Sequence, residues 1–532
     1  MKILLPTGFW FHKTYHSFAK RIKEIYPDAR FGVFGSKQSL SYLRKVCDND
    51  NDIEYEIFEI VGRSRDEGLF KEDIDYDELK KFEEGLPHKS LWRVIASDRG
   101  LGAAFLHGAV GYDNKDKSDY KYILNTFNNA IIQIREIFDR YSPDIYIQAI
   151  AMGSIEGLII EKICQERKVL YLVPESLRVK NLCAFANDLQ ISFTHIDVFT
   201  RKLIEGVITM DLSPAEKLYK EIMSELKSSD YFDSKNARLS KIEFPNILHR
   251  IKYLFINITY KIMKIILSDL RTWRNEKIEN YGAKSFSFSI LFFKIRRQVL
   301  SGIQRLRLLS PKFGTILSPS QKYVYYPLQG NPEYSSNILG TMWMNQANLI
   351  ETLAKSIPSD WVVYVKEHPG TLYDRIRPWC FFDRLKEIPN VFVAPVYMNT
   401  HEIICNSEMV AVVSGTSGWE AIQRSKPVIE FRDNLWSVLG LSKKCTDIEK
   451  LSNEIYNEVK RIKEISPQER KRRIVCLFAA MLKYGFWVTN PKQLFFVELG
   501  NDEEYEVSGR ELADGMIKHL EYLHKEKGYK LC

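Results

Sequence analysis

The sequence predicts an α/β protein: two parallel-sheet units with a basic helical segment between them. Three observations carry that prediction. Apolar strands alternate with helices over the first ~240 positions, the alternation gives way to a cationic stretch across about 241–312, and it restarts at 322. Strands that are apolar on both faces and separated by helices belong to parallel sheets covered on both sides. A chain of 532 residues is long enough for two or three folded units.

The elements follow in order. Positions 2–5 read as a short apolar strand, 15–25 as a helix and 30–34 as a second strand. Ile123, Phe127, Ile131, Ile134 and Phe138 recur at helical spacing across 120–141, and Ser142-Pro143 stops that helix. A continuous apolar strand at 144–150, a helix at 154–167 and a strand at 169–173 complete this half. In the second half, 322–326, 361–366, 391–394, 409–413 and 428–431 read as strands. Positions 345–356 and 400–406 read as helices, with a further helix beginning near Gly418. The stretches 448–483 and 508–525 are again helical. The resulting division is a first sheet domain at 1–240, a basic helical insertion or linker at 241–312, a second sheet domain at 313–490 and a helical tail at 491–532. In open parallel sheets, ligands bind beyond the carboxyl ends of the strands.

Composition narrows the class. Apolar residues make up 45% and charged residues 27%, which is ordinary for a globular chain. No run of about 18 uninterrupted apolar residues marks a membrane span. The opening Met1-Lys2-Ile3-Leu4-Leu5-Pro6 lacks the apolar core of a secretory signal. Eight scattered cysteines without a CxxC pair suit reduced thiols, so a cytoplasmic protein is expected. Between 246 and 312 there are fourteen Lys and Arg against three acids, a local net of +11 that leaves the remainder slightly acidic. A local basic stretch asks for a local anionic partner. Ile247, Ile251, Leu254, Ile258, Ile262 and Ile265 form one helical stripe edged by Arg250, Lys252 and Lys264, a pattern able to lie in a bilayer interface. Nucleic acid is not expected, since no recognised binding module accompanies the charge.

Three motifs carry chemistry. Met409-Val-Ala-Val-Val runs into Ser414-Gly415-Thr416-Ser417-Gly418, a strand entering a hydroxyl- and glycine-rich turn at a helix start. Backbone N–H groups and the positive helix end suit a phosphate there. Positions 361–366 lead into Glu367-His368-Pro369-Gly370, where Pro369 ends the strand and leaves Lys366 and His368 at its carboxyl end. Two cations beside a single phosphate can stabilise a departing nucleotide without metal. Tyr325-Tyr-Pro-Leu-Gln329-Gly-Asn-Pro-Glu333 would border the same edge with Gln329 and Glu333. The runs Asp48-Asn-Asp50-Asn-Asp52 and Asp73-Ile-Asp75-Tyr-Asp77 lack the pattern of a calcium loop and read as solvated loops, so no metal and no cofactor is expected.

In order along the chain, YPLQGNPE, NQANLIETLAKSIPSDW, VYVKEHPG, IPNVFV, VVSGTSGWEAI and KPVIEF resemble the bacterial capsular polysaccharide biosynthesis family. Its characterised members include Kdo transferases of GT-B fold that use CMP-activated sugars. The resemblance spans about 322–432, with weaker echoes in Leu91-Trp-Arg-Val-Ile-Ala-Ser-Asp98-Arg99 and Pro174-Glu-Ser-Leu-Arg178. The chain departs from the family at 329–331, where relatives often carry a His near the Gln.

The resemblance implies a GT-B fold, two Rossmann-like domains facing across a cleft. It also implies a transferase moving Kdo, or a nonulosonic acid such as pseudaminic or legionaminic acid, from a CMP donor to a capsular or lipid-linked glycan. His368 and Lys366 would hold the CMP phosphate beside Ser414, Gly415, Thr416 and Ser417, and Glu420 or Glu333 the ribose. Of the acids on the first unit, Glu175 ranks first as the catalytic group, then Asp98, then Glu156. Two carboxylates suit this chemistry, one meeting the oxocarbenium-like carbon and one taking the acceptor proton. Arg178 and Arg99 could grip the sugar carboxylate bidentately. The basic segment would touch the inner face of the cytoplasmic membrane peripherally. Two other readings remain at this point: a non-catalytic glycan- or membrane-binding assembly protein, and a UDP-sugar epimerase of the same fold.

Overall fold

The computed structural model describes residues 1–7, 12–47, 52–60, 74–86, 89–98, 120–148, 155–190, 192–225, 288–310, 312–330, 338–368, 377, 379–490 and 501–527, with six positions between 256 and 266. The first unit runs β1 (Lys2–Pro6), α1 (His12–Ile25), β2 (Arg30–Gly35), α2 (Lys37–Cys47), β3 (Tyr55–Glu59), α3 (Tyr76–Glu84) and α4 (Leu91–Ser97). It continues through α5 (Tyr120–Tyr141), β4 (Ile145–Ile147), α6 (Ile155–Arg167), β5 (Leu170–Ser176), β6 (Leu182–Ala186), α7 (Thr194–Ile204) and α8 (Ser213–Glu225). The helix α9 (Phe288–Leu308) precedes the second unit. That unit comprises β7 (Lys322–Pro327), α10 (Gln346–Ser356), β8 (Trp361–Lys366), α11 (Trp379–Lys386), β9 (Val391–Val393), α12 (Thr400–Asn406), β10 (Met409–Val412), α13 (Thr416–Gln423), β11 (Val428–Glu430) and β12 (Lys443–Lys444). The chain ends in α14 (Leu451–Glu464), α15 (Pro467–Tyr484), β13 (Phe486–Trp487) and α16 (Asp502–Lys527).

The second sheet is parallel throughout, in the order β12-β11-β10-β7-β8-β9. Each strand is joined to the next by a helical crossover, so all six carboxyl ends lie along one edge. The first sheet has the order β13-β6-β5-β4-β1-β2-β3, parallel from β5 to β3. Its other side is a correction to the all-parallel expectation: β6 pairs antiparallel with β5, and β13 antiparallel with β6.

The last helices return to the first unit. Residues 467–490 and 501–527 pack there together. Ile474, Leu477 and Phe478 of α15 share a core with Ile196 and Leu203 of α7, and also with Trp419 and Trp436 of the second unit. Against α1, α16 makes the ion pairs Arg510–Glu24 at 2.7 Å and Arg21–Asp514 at 2.8 Å. Gly509 permits that approach, since a Cβ there would lie 2.4 Å from the Thr14 carbonyl oxygen. Two largely parallel sheets with the carboxyl-terminal helices crossing back make the GT-B arrangement.

Helix α9 docks on the second unit through its last turns. Leu308 is buried in that unit's core, and the Arg307 guanidinium lies 4.8 Å from the Trp379 ring centre. Of the apolar stripe expected at 247–265, only Ile262 is described, and it is half-buried. Ile256, Tyr260 and Met263, on the opposite face, are exposed. Among the described residues, no helix is long and apolar enough to cross a membrane.

Candidate functional site

The site begins with strand order. β10, β7 and β8 are neighbours, so Ser414, Gln329 and Lys366 emerge side by side at the carboxyl edge. Gln329 is buried, and with its amide assigned in the orientation that satisfies both of its ends, the side-chain oxygen accepts from the N–H of Ser414 at 2.7 Å and of Gly415 at 3.2 Å. Those two N–H groups were expected to face an anion, and the structure uses them to hold Gln329. The helix also starts at Thr416, two residues earlier than expected, because Gly418 N–H bonds the Gly415 carbonyl at 3.1 Å. Thr416 and Ser417 therefore occupy the first helical turn, with no side-chain cap from Gly415. Their N–H groups, and the positive end of α13, are the donors an anion would meet. Gly418 lets α13 sit close on β10, since a Cβ would lie 2.8 Å from Val412 and 3.0 Å from Trp436.

Lys366 is buried at the end of β8, and desolvation lowers its pKa to about 8, against the opposing pull of Glu367 and Glu420. A lysine held in dry surroundings gains from an anionic partner. Glu420 is buried one turn into α13, with its Oε2 3.6 Å from His401 Nδ1. His401 Nδ1 in turn accepts from Arg424 at 3.0 Å. The buried Tyr325 hydroxyl hydrogen-bonds the side chains of Thr400 and Ser417, and burial raises its pKa. Lys366, Ser417 and Glu420 thus belong to one connected cluster.

Beside it lies a buried ion pair. Arg377 Nε sits 2.9 Å from Glu367 Oε2, the side chains 3% and 1% exposed. Glu367 Oε1 accepts the backbone N–H of His368 at 2.6 Å. Arg377 also donates to the Gln329 carbonyl oxygen, which links the ends of β7 and β8. Burial raises the Glu367 pKa, with Arg377 opposing. Sequence reasoning missed Arg377, Gln346, His401 and Tyr325 as site residues. Tyr325 stood inside a motif already singled out, whereas nothing local distinguishes Arg377.

The acids of the first unit have structural partners. Asp98, 0% exposed, follows α4 and accepts the N–H of Ile155 at 2.9 Å, which caps α6. Glu156 stands in the first turn of α6, half-buried. Glu175, at the end of β5, pairs with Arg178 at 3.1 Å, the side chains 12% and 34% exposed. Burial raises the Glu175 pKa, and Arg178 opposes the rise. Arg178 has φ +60°, and its N–H is held by Ser176 Oγ at 3.1 Å. The two units meet nearby: Ile338, just after the Gln329 loop, is buried with Leu91, Val94 and Ile95 of α4.

Arg99, Pro369 and Glu333 lie outside the described residues. Of the aspartate runs, Asp75 accepts from Glu78 N–H at 2.9 Å to cap α3, and Asp52 pairs with Lys20 at 2.9 Å.

No family model matches the chain, and no curated protein matches it. Solved structures do. The beta Kdo 2,4 transferase KpsC of Thermosulfurimonas dismutans is 15% identical at a TM-score of 0.33, over 68% of this chain and 90% of that one. The beta Kdo 2,7 transferase KpsC of the same organism is 10% identical at a TM-score of 0.30, over 96% of this chain and 99% of that one. The UDP-GlcNAc 2-epimerase of Neisseria meningitidis is 11% identical at a TM-score of 0.22, over 97% of this chain and 100% of that one.

Proposed function

We propose that the chain is a glycosyltransferase moving a 2-keto sugar acid, Kdo or a nonulosonic acid such as pseudaminic or legionaminic acid, from its CMP derivative to a capsular or other surface-polysaccharide acceptor. The observation that carries the reading is the meeting of Gln329, Lys366, Ser414, Thr416, Ser417 and Glu420 at one carboxyl edge. In this reading Lys366 and His368 neutralise the CMP phosphate as it leaves, while the Thr416 and Ser417 N–H groups receive its oxygens. Glu420 takes the ribose. Glu175 faces the developing positive charge on the sugar carbon, and Arg178 and Arg99 hold the sugar carboxylate. Neither a metal nor a cofactor is part of the proposal.

A peripheral contact with an anionic membrane surface through 246–312 belongs to the same proposal. The local +11 and the exposed Ile256, Tyr260, Met263, Val299, Leu300 and Ile303 support it.

Incubating the purified chain with CMP-Kdo, CMP-pseudaminic acid and a glycan acceptor tests the reaction, with CMP release and product mass as readouts. Release of CMP with a matching mass gain on the acceptor is expected. Tight CMP binding without release would make the chain a binding protein, and stabilisation by UDP in place of CMP would point to epimerase chemistry.

A further inference from the structure

We propose that Arg377 is a positioning residue of this site, setting the 414–417 turn through Gln329 and His368 through Glu367 without touching the nucleotide. The inference rests on the reading that this edge holds a nucleotide phosphate. Arg377 bridges two strand ends that must stay in register for the site to exist. On the β8 side it pairs with Glu367, whose other oxygen holds the N–H of His368. On the β7 side it donates to the carbonyl of Gln329. That residue's backbone is fixed a second time by the buried Gln346, through Gln329 N–H to Oε1 at 2.8 Å and Nε2 to the Gln329 oxygen at 3.2 Å. With its backbone held on both groups, Gln329 can direct its side-chain oxygen onto the Ser414 and Gly415 N–H groups. Arg377 therefore acts on the 414–417 turn through Gln329 and on His368 through Glu367.

The guanidinium also lies 5.0 Å from the Phe381 ring centre. The Arg377 carbonyl accepts from Gln304 of α9, so the basic helix is tied to the same brace. A guanidinium suits this place because its rigid planar fork holds a carboxylate and a carbonyl at a fixed separation, which the single nitrogen of a lysine does not. His368 and the 414–417 turn would then be the groups that touch ligand, and Arg377 the group that sets their spacing.

The test is a double-mutant cycle between Arg377→Lys and Gln329→Ala, read as CMP affinity by calorimetry and as donor KM and kcat. Because misplacement of binding groups weakens affinity steeply, Arg377→Lys should raise the CMP Kd and donor KM about tenfold, and through His368 it should lower kcat about tenfold as well. Both variants act through one turn, so the double variant should bind no more weakly than the worse single variant. Multiplicative effects, or an unchanged Kd and KM in folded Arg377→Lys, would overturn the proposal. Where Arg377→Lys fails to fold, the neutral pair Glu367→Gln with Arg377→Met replaces it in the cycle, since removing both charges leaves no buried ion behind. Wild-type affinity for that pair would overturn the proposal equally. A wild-type chain that binds neither CMP, UDP nor GDP would instead refute the nucleotide reading, and this inference with it.

Discussion

The carboxyl edges of the two sheets are built differently. In the second unit, the polar groups hold one another: Gln329 on the 414–415 turn, Arg377 on Glu367 and Gln329, Tyr325 on Thr400 and Ser417. Facing a ligand there are a buried lysine and the start of α13. In the first unit, the acids serve their own chain, Asp98 as the cap of α6 and Glu175 as the partner of Arg178. The comparison teaches that a preset anion site and a catalytic acid make opposite demands. Donors gain from being fixed by neighbours, whereas an acid locked in a cap has little left to give a substrate. By that criterion the proposed reacting group is Glu175, with some exposure and an arginine beside it, ahead of the fully buried Asp98.

The sharpest way to break the comparison is to remove a cation from the second edge. Lys366→Met and His368→Ala should each lower transfer by about 10²–10³-fold with unchanged circular dichroism. Unaltered transfer in either variant would take the phosphate away from this edge. The first edge is tested by a pair of isosteric changes. Glu175→Gln should lower turnover by about 10²-fold or more. Asp98→Asn should stay close to wild type, because asparagine caps a helix as well as aspartate does. A reversed order in steady-state assays would make Asp98 the reacting acid.

A pH titration sharpens the picture with a smaller effect. Lys366 is depressed to about 8, so it carries its charge at pH 7 and loses it as the pH rises through that value. CMP affinity measured by calorimetry should therefore fall between pH 7 and pH 9.5, with the decline absent in Lys366→Arg. The smallest effect concerns Glu161 of the first unit, pushed up to about 7 by burial while accepting Leu189 N–H at 2.9 Å. Its folded pKa lies above the ordinary ~4.3 of an unfolded glutamate. The charge therefore costs nothing below that lower value, and its cost grows until pH passes about 7. Glu161→Gln should raise the melting temperature by about 2 °C at pH 8 and leave it unchanged at pH 4.5, by calorimetry.

Much of the second edge was legible because its signals are local. The apolar run 409–413 ends in Ser-Gly-Thr-Ser, and 361–366 ends before Pro369, so each strand and its polar terminus can be read within about ten residues. The break inside 448–483 was also within reach, since Ser466-Pro467 places a cap and a first-turn proline at the start of α15. Other features depend on distance. β13 is two residues long and pairs with Leu182 and Cys183, some three hundred positions earlier, and no periodicity can announce such a partner. Arg377 lies in an unpatterned stretch and has meaning only once β7, β8 and α9 have come together around it. The role of Asp98 likewise depends on α6 starting at its carboxylate, fifty-seven residues on.

A crystal structure of the chain with CMP examines the central claim most directly. The account predicts the phosphate between Lys366 and the first-turn N–H groups of Thr416 and Ser417, with the ribose at Glu420. A nucleotide bound on any other surface, leaving Lys366 and the 414–417 turn untouched, would contradict it.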